Sequence, residues 1–517
     1  MQLKVKEFIL IFLITVCVGG YWLHYAVERG MWLDELDWTL AFLHDKSLLS
    51  TIKELLYYGY NLPLFYILLK PVYLISHNPY ILYIPSVLCT VLGAITLYFI
   101  GKKLYGRLCG GIVLVLTLLS PMVCQSVAAQ IRPYGLLFFL SALTLYSYLK
   151  RLETENKKTI LIYGIVITCY VYTHWFASLM VATYALTDLY LWIKKKIKFR
   201  CVISYLICGF AFLPWLIALL MLHKNNFQDY WGNQIPGLSD MIDLFSSLLG
   251  YNTFLLFVFI FVFIRIFLSF ILGVKDDNKH IIDWPKQFLY ACLFVLFTIW
   301  IYTLIMPKAS LFVFRYFKVF LPQVLLLTSY GIWYLIRHKL NFVRFFYLNK
   351  FSFLFKVFFL SIIIYGTVAA VIVSEPYTKD ALRINYFYKF HELSDFFSDK
   401  KLTKKTLLLS HGSSFYYTFF KMKENVDLAI NYGMLYEDKN KQYTSVYYVK
   451  KGSSFLTPYE KVPHASLLNY DLIYIIPDNF LDDILELFLS KNFMCKHYPT
   501  KTDNVLTIQE CTRISDQ

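Results

Sequence analysis

A succession of long apolar stretches governs what this chain can fold into. They fall at 8–26, 80–100, 108–124, 133–149, 159–174, 176–193, 202–222, 247–272, 288–306, 312–336 and 353–374. A helix needs about 20 apolar residues to cross the hydrocarbon core. Inside lipid every backbone N–H and C=O must be satisfied within the protein, as a helix does within its own segment. The chain is therefore read as a polytopic α-helical membrane protein.

The basic residues support this reading. The formal net charge of +16 raises the question of a nucleic-acid partner. Lys and Arg sit instead in short loops: Lys102-Lys103-Arg107, Lys150-Arg151-Lys157-Lys158, Lys194-Lys195-Lys196-Lys198-Arg200, Lys275-Lys279-Lys286 and Arg337-Lys339-Arg344-Lys350. Placing all of these in the cytoplasm makes the spans alternate without conflict, as the positive-inside rule requires. Lys4 and Lys6 then lie inside and the C-terminus outside. The first span has no clean small-x-small cleavage site and more spans follow, so it reads as an uncleaved helix. The predicted location is the inner (plasma) membrane.

Residues 61–76 (NLPLFYILLKPVYLIS) are apolar but short, and contain Pro63, Lys70 and Pro71. A full crossing would invert the parity of every later loop, so a partial or re-entrant helix is expected. Between it and the first span, Leu36, Leu40 and Leu43, then Leu48, Ile52 and Leu55, recur at helical spacing among polar residues. Two short amphipathic helices on the outer surface satisfy that pattern.

From about Ser374 the composition turns hydrophilic. Short apolar runs at Thr406–Leu409, Leu472–Ile476 and Val505–Ile508, with a helical pattern at Asp482–Leu489, predict a small C-terminal extracytoplasmic α/β domain. The expected division is 1–375 and 376–517. Of ten cysteines, eight lie in or beside apolar spans as small hydrophobes. Cys495 and Cys511 flank a hairpin-like stretch, and both a disulfide and two free thiols are open to them.

Four polar features fall on the outer side in this topology. They are Asp34-Glu35 with Asp37, the run Gln130-Ile131-Arg132-Pro133-Tyr134, His174 at the end of a span, and Arg315-Tyr316 opening another. Each alone has an ordinary explanation: an arginine can snorkel to the interface, Asp34 can cap a helix, and His174-Trp175 can be an interfacial pair. Ionisable groups near spans are costly, so convergence on one face points to a shared cavity. A carboxylate can take a proton from a hydroxyl nucleophile, and arginines hold phosphate bidentately. That pairing suits displacement at a sugar carbon with a phosphate leaving group. A lipid or solute transporter could use the same charges, although neither an internal repeat nor paired broken helices are visible.

Several short motifs occur in a telling order. Asp34-Glu35 follows the first span. Asn61-Leu62-Pro63-Leu64-Phe65-Tyr66 stands where a His-Pro-Pro-Leu-Tyr-Tyr-like element would, and Tyr83-Ile84-Pro85-Ser86-Val87-Leu88 matches Arg-Leu-Pro-Ser-x-Leu without its arginine. Gly101-Lys102-Lys103-Leu104-Tyr105-Gly106, Ser120-Pro121, Gln130-x-Arg132-x-Tyr134, Thr173-His174-Trp175 and Arg315-Tyr316 follow. In order and spacing these elements resemble the bacterial branch of the dolichyl-phosphate-mannose–protein mannosyltransferase family, membrane glycosyltransferases of the GT-C fold. The resemblance is strong over 30–150, thin to about 335 and absent beyond.

The resemblance implies a hexosyl- or pentosyltransferase that uses a polyprenyl-phosphate-linked sugar, transfers it to a glycan, lipid or protein acceptor outside the membrane, and inverts the anomeric centre. Asp34 would be the general base, and Glu35 would orient the acceptor or bind a divalent metal. Arg132 and Arg315 would bind the lipid phosphate. Asp37, Gln130, Tyr134, His174 and Tyr316 would line the pocket. No metal ligand set is read beyond Glu35. A polysaccharide polymerase or ligase is the nearest alternative enzyme.

Overall fold

The computed structural model describes residues 2–29, 35, 39–43, 47–58, 61–76, 78–222, 238–271, 284–305 and 313–337, and C-terminal strands within 406–514. The chain divides into two compact units. The first comprises Met1–Tyr25 with Ile52–Pro376, and the second Ala26–Thr51 with Tyr377–Gln517.

The first unit is a helical bundle. Its elements are α1 (Gln2–Arg29), α2 (Leu48–Tyr58, shared with the second unit), α3 (Leu64–Ile75), α4 (Pro79–Tyr105), α5 (Arg107–Leu119), α6 (Tyr134–Thr154), α7 (Lys157–Val171), α8 (Trp175–Ile193) and α9 (Ile203–Leu222). They continue with α10 (Leu238–Leu248), α11 (Thr253–Ile271), α12 (Trp284–Ile305) and α13 (Leu321–Arg337). Among the described residues, five helices are long and apolar enough to cross a membrane, and seven if each bent pair counts as one span.

Local chemistry fixes the ends. Asn78 caps α4 by accepting from the Tyr80 N–H at 2.9 Å, with Pro79 in the first turn, where its missing N–H costs nothing. Gly106, at φ +92°, turns the chain directly from α4 into α5, a conformation open to glycine and strained for other residues. Asn156 caps α7 through the Thr159 N–H at 2.9 Å.

Some expected boundaries are corrected. The stretch at 108–124 is broken: α5 stops at Leu119, and a second piece, Pro121–Ala128, leaves at 56°. Pro121 cannot continue the hydrogen-bond ladder, and Ser120 restarts the helix by accepting from the Val123 N–H. The stretch at 247–272 is also two helices, α10 and α11, meeting at 116°. Gly250 and Tyr251 both take positive φ at that corner, and Asn252 caps α11 through the Leu255 N–H at 3.0 Å. Residues 172–174 form a loop, since α7 ends at Val171. At 1.5 Å per residue, the 12-residue α3 is about 18 Å long, short of the hydrocarbon thickness. The stretch at 353–374 lies outside the described residues.

At the centre of the bundle, α4 packs against α5 and α6. Gly135 in the first turn of α6 makes this contact close. A Cβ there would stand 2.5 Å from the Ser86 carbonyl oxygen of α4, so no larger residue fits without moving one helix. Ser86 in turn donates to the Arg132 carbonyl at 3.4 Å. The stretch just before α6 is thereby pinned to α4.

In the second unit, Thr51 donates to the Phe42 carbonyl at 2.9 Å, tying the start of α2 to the short helical turn Ala41–Leu43. Further on, this unit carries a mixed sheet of β1 (Thr406–Ser410), β2 (Asp427–Asn431), β3 (Val446–Tyr448), β4 (Glu460–Lys461), β5 (Leu472–Ile476), β6 (Phe493–Pro499) and β7 (Thr507–Arg513), in the order β4-β3-β2-β1-β5-β7-β6. The apolar runs of β1 and β5 pair in parallel at the middle of the sheet. β6 and β7 form an antiparallel hairpin in which Cys495 opposes Cys511, and the two are disulfide-bonded with Cα atoms 4.0 Å apart. The helical pattern at 482–489 lies outside the described residues.

Candidate active site

Three segments bring the predicted cations together. The first is a π-helical turn, Cys124–Ala128, with the bend that follows it and carries Gln130 and Arg132. The second is the start of α6 at Tyr134. The third is a 3-10 helix, Phe314–Phe320, leading into α13.

The 3-10 helix follows from its sequence. With three residues per turn, side chains at i and i+3 eclipse. Phe317 and Phe320 are fully buried, and in that repeat they share a stripe with Phe314. The same repeat stacks Arg315 over Lys318 on another face and leaves Tyr316 on the third. A π-helical turn ends with carbonyls that lack helical partners. The Ser126 carbonyl lies in this turn, and Lys318 Nζ donates to it at 2.8 Å.

Around this frame the aromatic rings form a chain. Tyr134 and His174 have centroids 6.3 Å apart, and His174 and Tyr316 5.6 Å. Phe176 packs edge-on against both His174 and Tyr316. The Arg132 guanidinium lies 5.9 Å from the Tyr134 centroid, Arg315 lies 5.6 Å from that of Tyr316, and the Lys318 ammonium only 3.7 Å from that of Tyr134. Such contacts attract a cation to the ring face.

His174 is the N-cap of α8, and its Nδ1 accepts from the Phe176 N–H at 3.2 Å. That bond needs an unprotonated Nδ1. Burial, and then the charges of Arg132, Lys318 and Arg315, push its pKa down to about 3. His174 is thus a neutral ring in a positive environment, suited to shape and hydrogen bonding and not to proton transfer near neutrality. The backbone of the same loop also holds α3: the Leu64 N–H donates to the Tyr172 carbonyl at 3.2 Å.

Arg132, Tyr134, His174, Arg315 and Tyr316 thus lie in one connected cluster within the first unit. Gln130 is buried beside it in sequence, and its amide oxygen has no hydrogen-bond partner among the described residues. The acidic segment belongs to the second unit: Glu35 is completely buried, while Asp34 and Asp37 lie outside the described residues. Among the described residues no three His, Cys, Asp or Glu side chains group as a metal would need.

Sequence reading missed Lys318. Its signal was present in FRYFKVF, where Phe314, Phe317 and Phe320 mark a three-residue repeat that sets Lys318 directly beneath Arg315.

Residues 63–221 match the family model described as dolichyl-phosphate-mannose-protein mannosyltransferase. No curated protein sequence matches the chain. Among solved structures, the chain is similar to ArnT from Cupriavidus metallidurans. The apo form aligns with a TM-score of 0.55 at 10% identity, covering 98% of this chain and 98% of that one. The form bound to undecaprenyl phosphate aligns with a TM-score of 0.52 at 10% identity, covering 96% and 97%. The chain therefore shares its helical membrane fold with these structures, as expected from the sequence, and the family-model match extends over the segment holding Arg132, Tyr134 and His174.

Proposed function

We propose that the protein is an inverting glycosyltransferase that moves a sugar from a polyprenyl-phosphate carrier to an envelope acceptor on the outer side of the membrane. The observation that carries this reading is the convergence of Arg132 and Arg315 on the Tyr134–His174–Tyr316 ring cluster. It occurs in a fold whose solved neighbour holds undecaprenyl phosphate.

The chemistry follows from these groups. A hydroxyl of the acceptor attacks the anomeric carbon on the face opposite the phosphate, forming a C–O bond. The bond from that carbon to the phosphate oxygen breaks, and its electron pair leaves with the polyprenyl phosphate. Arg132 and Arg315 stabilise the charge gathering on the phosphate, the largest electrostatic change along the path. Asp34 accepts the hydroxyl proton, Glu35 orients the acceptor, and Asp37 and Gln130 complete the pocket. The aromatic rings exclude water, which would otherwise compete as acceptor.

The domain division is proposed at 375/376, with the C-terminal domain outside the cytoplasm. The Cys495–Cys511 bond supports that placement, because disulfides persist in oxidising compartments.

The reading is tested by sugar transfer from radiolabelled polyprenyl-phosphate sugars by purified protein in detergent. Transfer from at least one of them is expected. No transfer from any, with the protein well folded, would turn the reading to a polymerase or a transporter.

A further inference from the structure

The two helix breaks meet each other. At the corner between α10 and α11, Gly250 lies so close to Pro121 that a Cβ on it would stand 3.0 Å from the proline Cδ. Beside this contact is a small cavity. Leu116, Ser120 and Pro121 line it from the break after α5, Leu249 and Asn252 from the corner, and Leu325 from α13. Ser120 and Asn252 are only 6% and 5% exposed. Each caps a helix through its side-chain oxygen: Ser120 Oγ accepts from the Val123 N–H at 3.3 Å, and Asn252 Oδ1 from the Leu255 N–H at 3.0 Å. Both caps consume acceptors and leave donors. The Asn252 cap fixes which way its amide faces, so the group left over is the NH2, and this Nδ2 has no hydrogen-bond partner among the described residues. The Ser120 hydroxyl, accepting at Oγ, keeps its proton to give. A buried donor without an acceptor is costly.

We infer that this cavity binds one water molecule, which accepts from Asn252 Nδ2 and from the Ser120 hydroxyl and so fastens the α10–α11 corner to the break after α5. The size fits. The free volume is about 10 Å³, enough for one water and nothing larger. The charge pattern fits as well. Two donors pointing inward repel a cation. Both α5 and α10 end here, and a helix C-terminus carries negative partial charge that repels an anion. A neutral molecule that accepts and donates suits both sets of groups. Leu116 belongs to the last turn of α5, where carbonyls run out of helical N–H partners, so the water also has acceptors for its own protons. The piece Pro121–Ala128 leaves from this point and runs on to Gln130 and Arg132, so the water sits at the root of the segment that carries them.

The test is X-ray radiolytic labelling of the full-length protein in detergent, read by mass spectrometry. Radiolysis of a bound water makes hydroxyl radicals in place, so side chains touching it are oxidised although bulk solvent does not reach them. In the wild type, the buried residues Pro121, Leu249 and Leu325 should be oxidised. Leu97, equally buried and outside the cavity, should not. Ser120→Ala combined with Asn252→Leu removes both donors. An apolar cavity stays dry, so labelling of the three residues should fall to the level of Leu97.

Wild-type labelling of the three residues no greater than that of Leu97 overturns the inference, and this comparison needs no variant to fold. Undiminished labelling in the folded double variant overturns it too, since these donors would then not be what holds the water. A wild-type density map that shows ordered water elsewhere, but none within hydrogen-bond distance of Asn252 Nδ2 and Ser120 Oγ, is a third result against it.

Discussion

Arg151 of α6 and Asp188 of α8 form an ion pair in which both side chains are completely buried. Most of the polar atoms at this site are satisfied; the Arg151 Nε has no hydrogen-bond partner among the described residues. Arg151 also donates to the Cys201 carbonyl at 2.8 Å, and Tyr148 and Tyr205 donate to the two Asp188 oxygens at 2.9 and 2.8 Å. The Tyr163 ring of α7 lies 4.4 Å from the guanidinium. Four consecutive helices, α6 to α9, are thus joined at one point, beside residues the sequence places at the cytoplasmic end.

Breaking that pair should cost far more than removing it. Asp188→Asn leaves Arg151 charged and buried, a loss of about 3–5 kcal/mol. Replacing both partners together, Arg151→Met with Asp188→Leu, should recover most of it. Thermal unfolding in detergent measures both. Equal destabilisation by the single and double replacements would show that packing, and not the stranded charge, sets the cost.

The bundle was readable because lipid leaves apolar runs few choices. Where the structure departs from the sequence reading, a backbone property intervened that hydropathy does not register. Pro121 breaks one run, and the positive φ of Gly250 and Tyr251 folds another into a corner. The C-terminal strands are readable at Thr406–Ser410 and Leu472–Ile476, where apolar runs mark the central strands of the sheet. The apolar run at 505–508 points to the third, which spans Thr507–Arg513, paired with β6 through the register that sets Cys495 opposite Cys511. Within the site, Arg132 and Arg315 stood out as charges beside spans. Lys318 did not, since its role depends on the 3-10 turn that stacks it under Arg315.

His174 yields a pH prediction. An unfolded histidine titrates near 6.5, whereas this one is held down to about 3. Its folded pKa is depressed, so below about 6.5 the unfolded state gains a proton that the folded state refuses. Its contribution to stability is intact above that pH and declines as the pH falls towards 3. The turnover profile between pH 5 and 8 should carry no limb due to His174, and His174→Gln should leave the profile's shape unchanged while altering its height. Disappearance of an acid limb in that variant would mean that the imidazole titrates during turnover.

Orientation can be tested by reporter fusions. Alkaline phosphatase fused after Tyr377 should be active, and a fusion after Lys196 inactive, because the enzyme folds only in an oxidising compartment. Thiol labelling of the intact protein should miss Cys495 and Cys511 until reductant is added, as their bond requires. The reverse fusion pattern would place Arg132, His174 and Arg315 on the cytoplasmic side and discard the outward-facing donor site.

The acidic segment and the cation cluster make separate predictions because their roles differ. Asp34→Asn keeps nearly the same size and hydrogen-bonding reach but cannot accept the acceptor's proton. General-base catalysis contributes roughly 10²–10⁴-fold, so turnover should fall by that order while undecaprenyl phosphate still binds. Arg132→Lys keeps the charge and loses the planar fork. It also alters a side chain packed 5.9 Å from the Tyr134 centroid, so donor binding should weaken together with turnover. The two variants therefore separate on one pair of measurements, sugar transfer and lipid-phosphate binding. Full transfer by Asp34→Asn would move the base to Glu35 or Asp37.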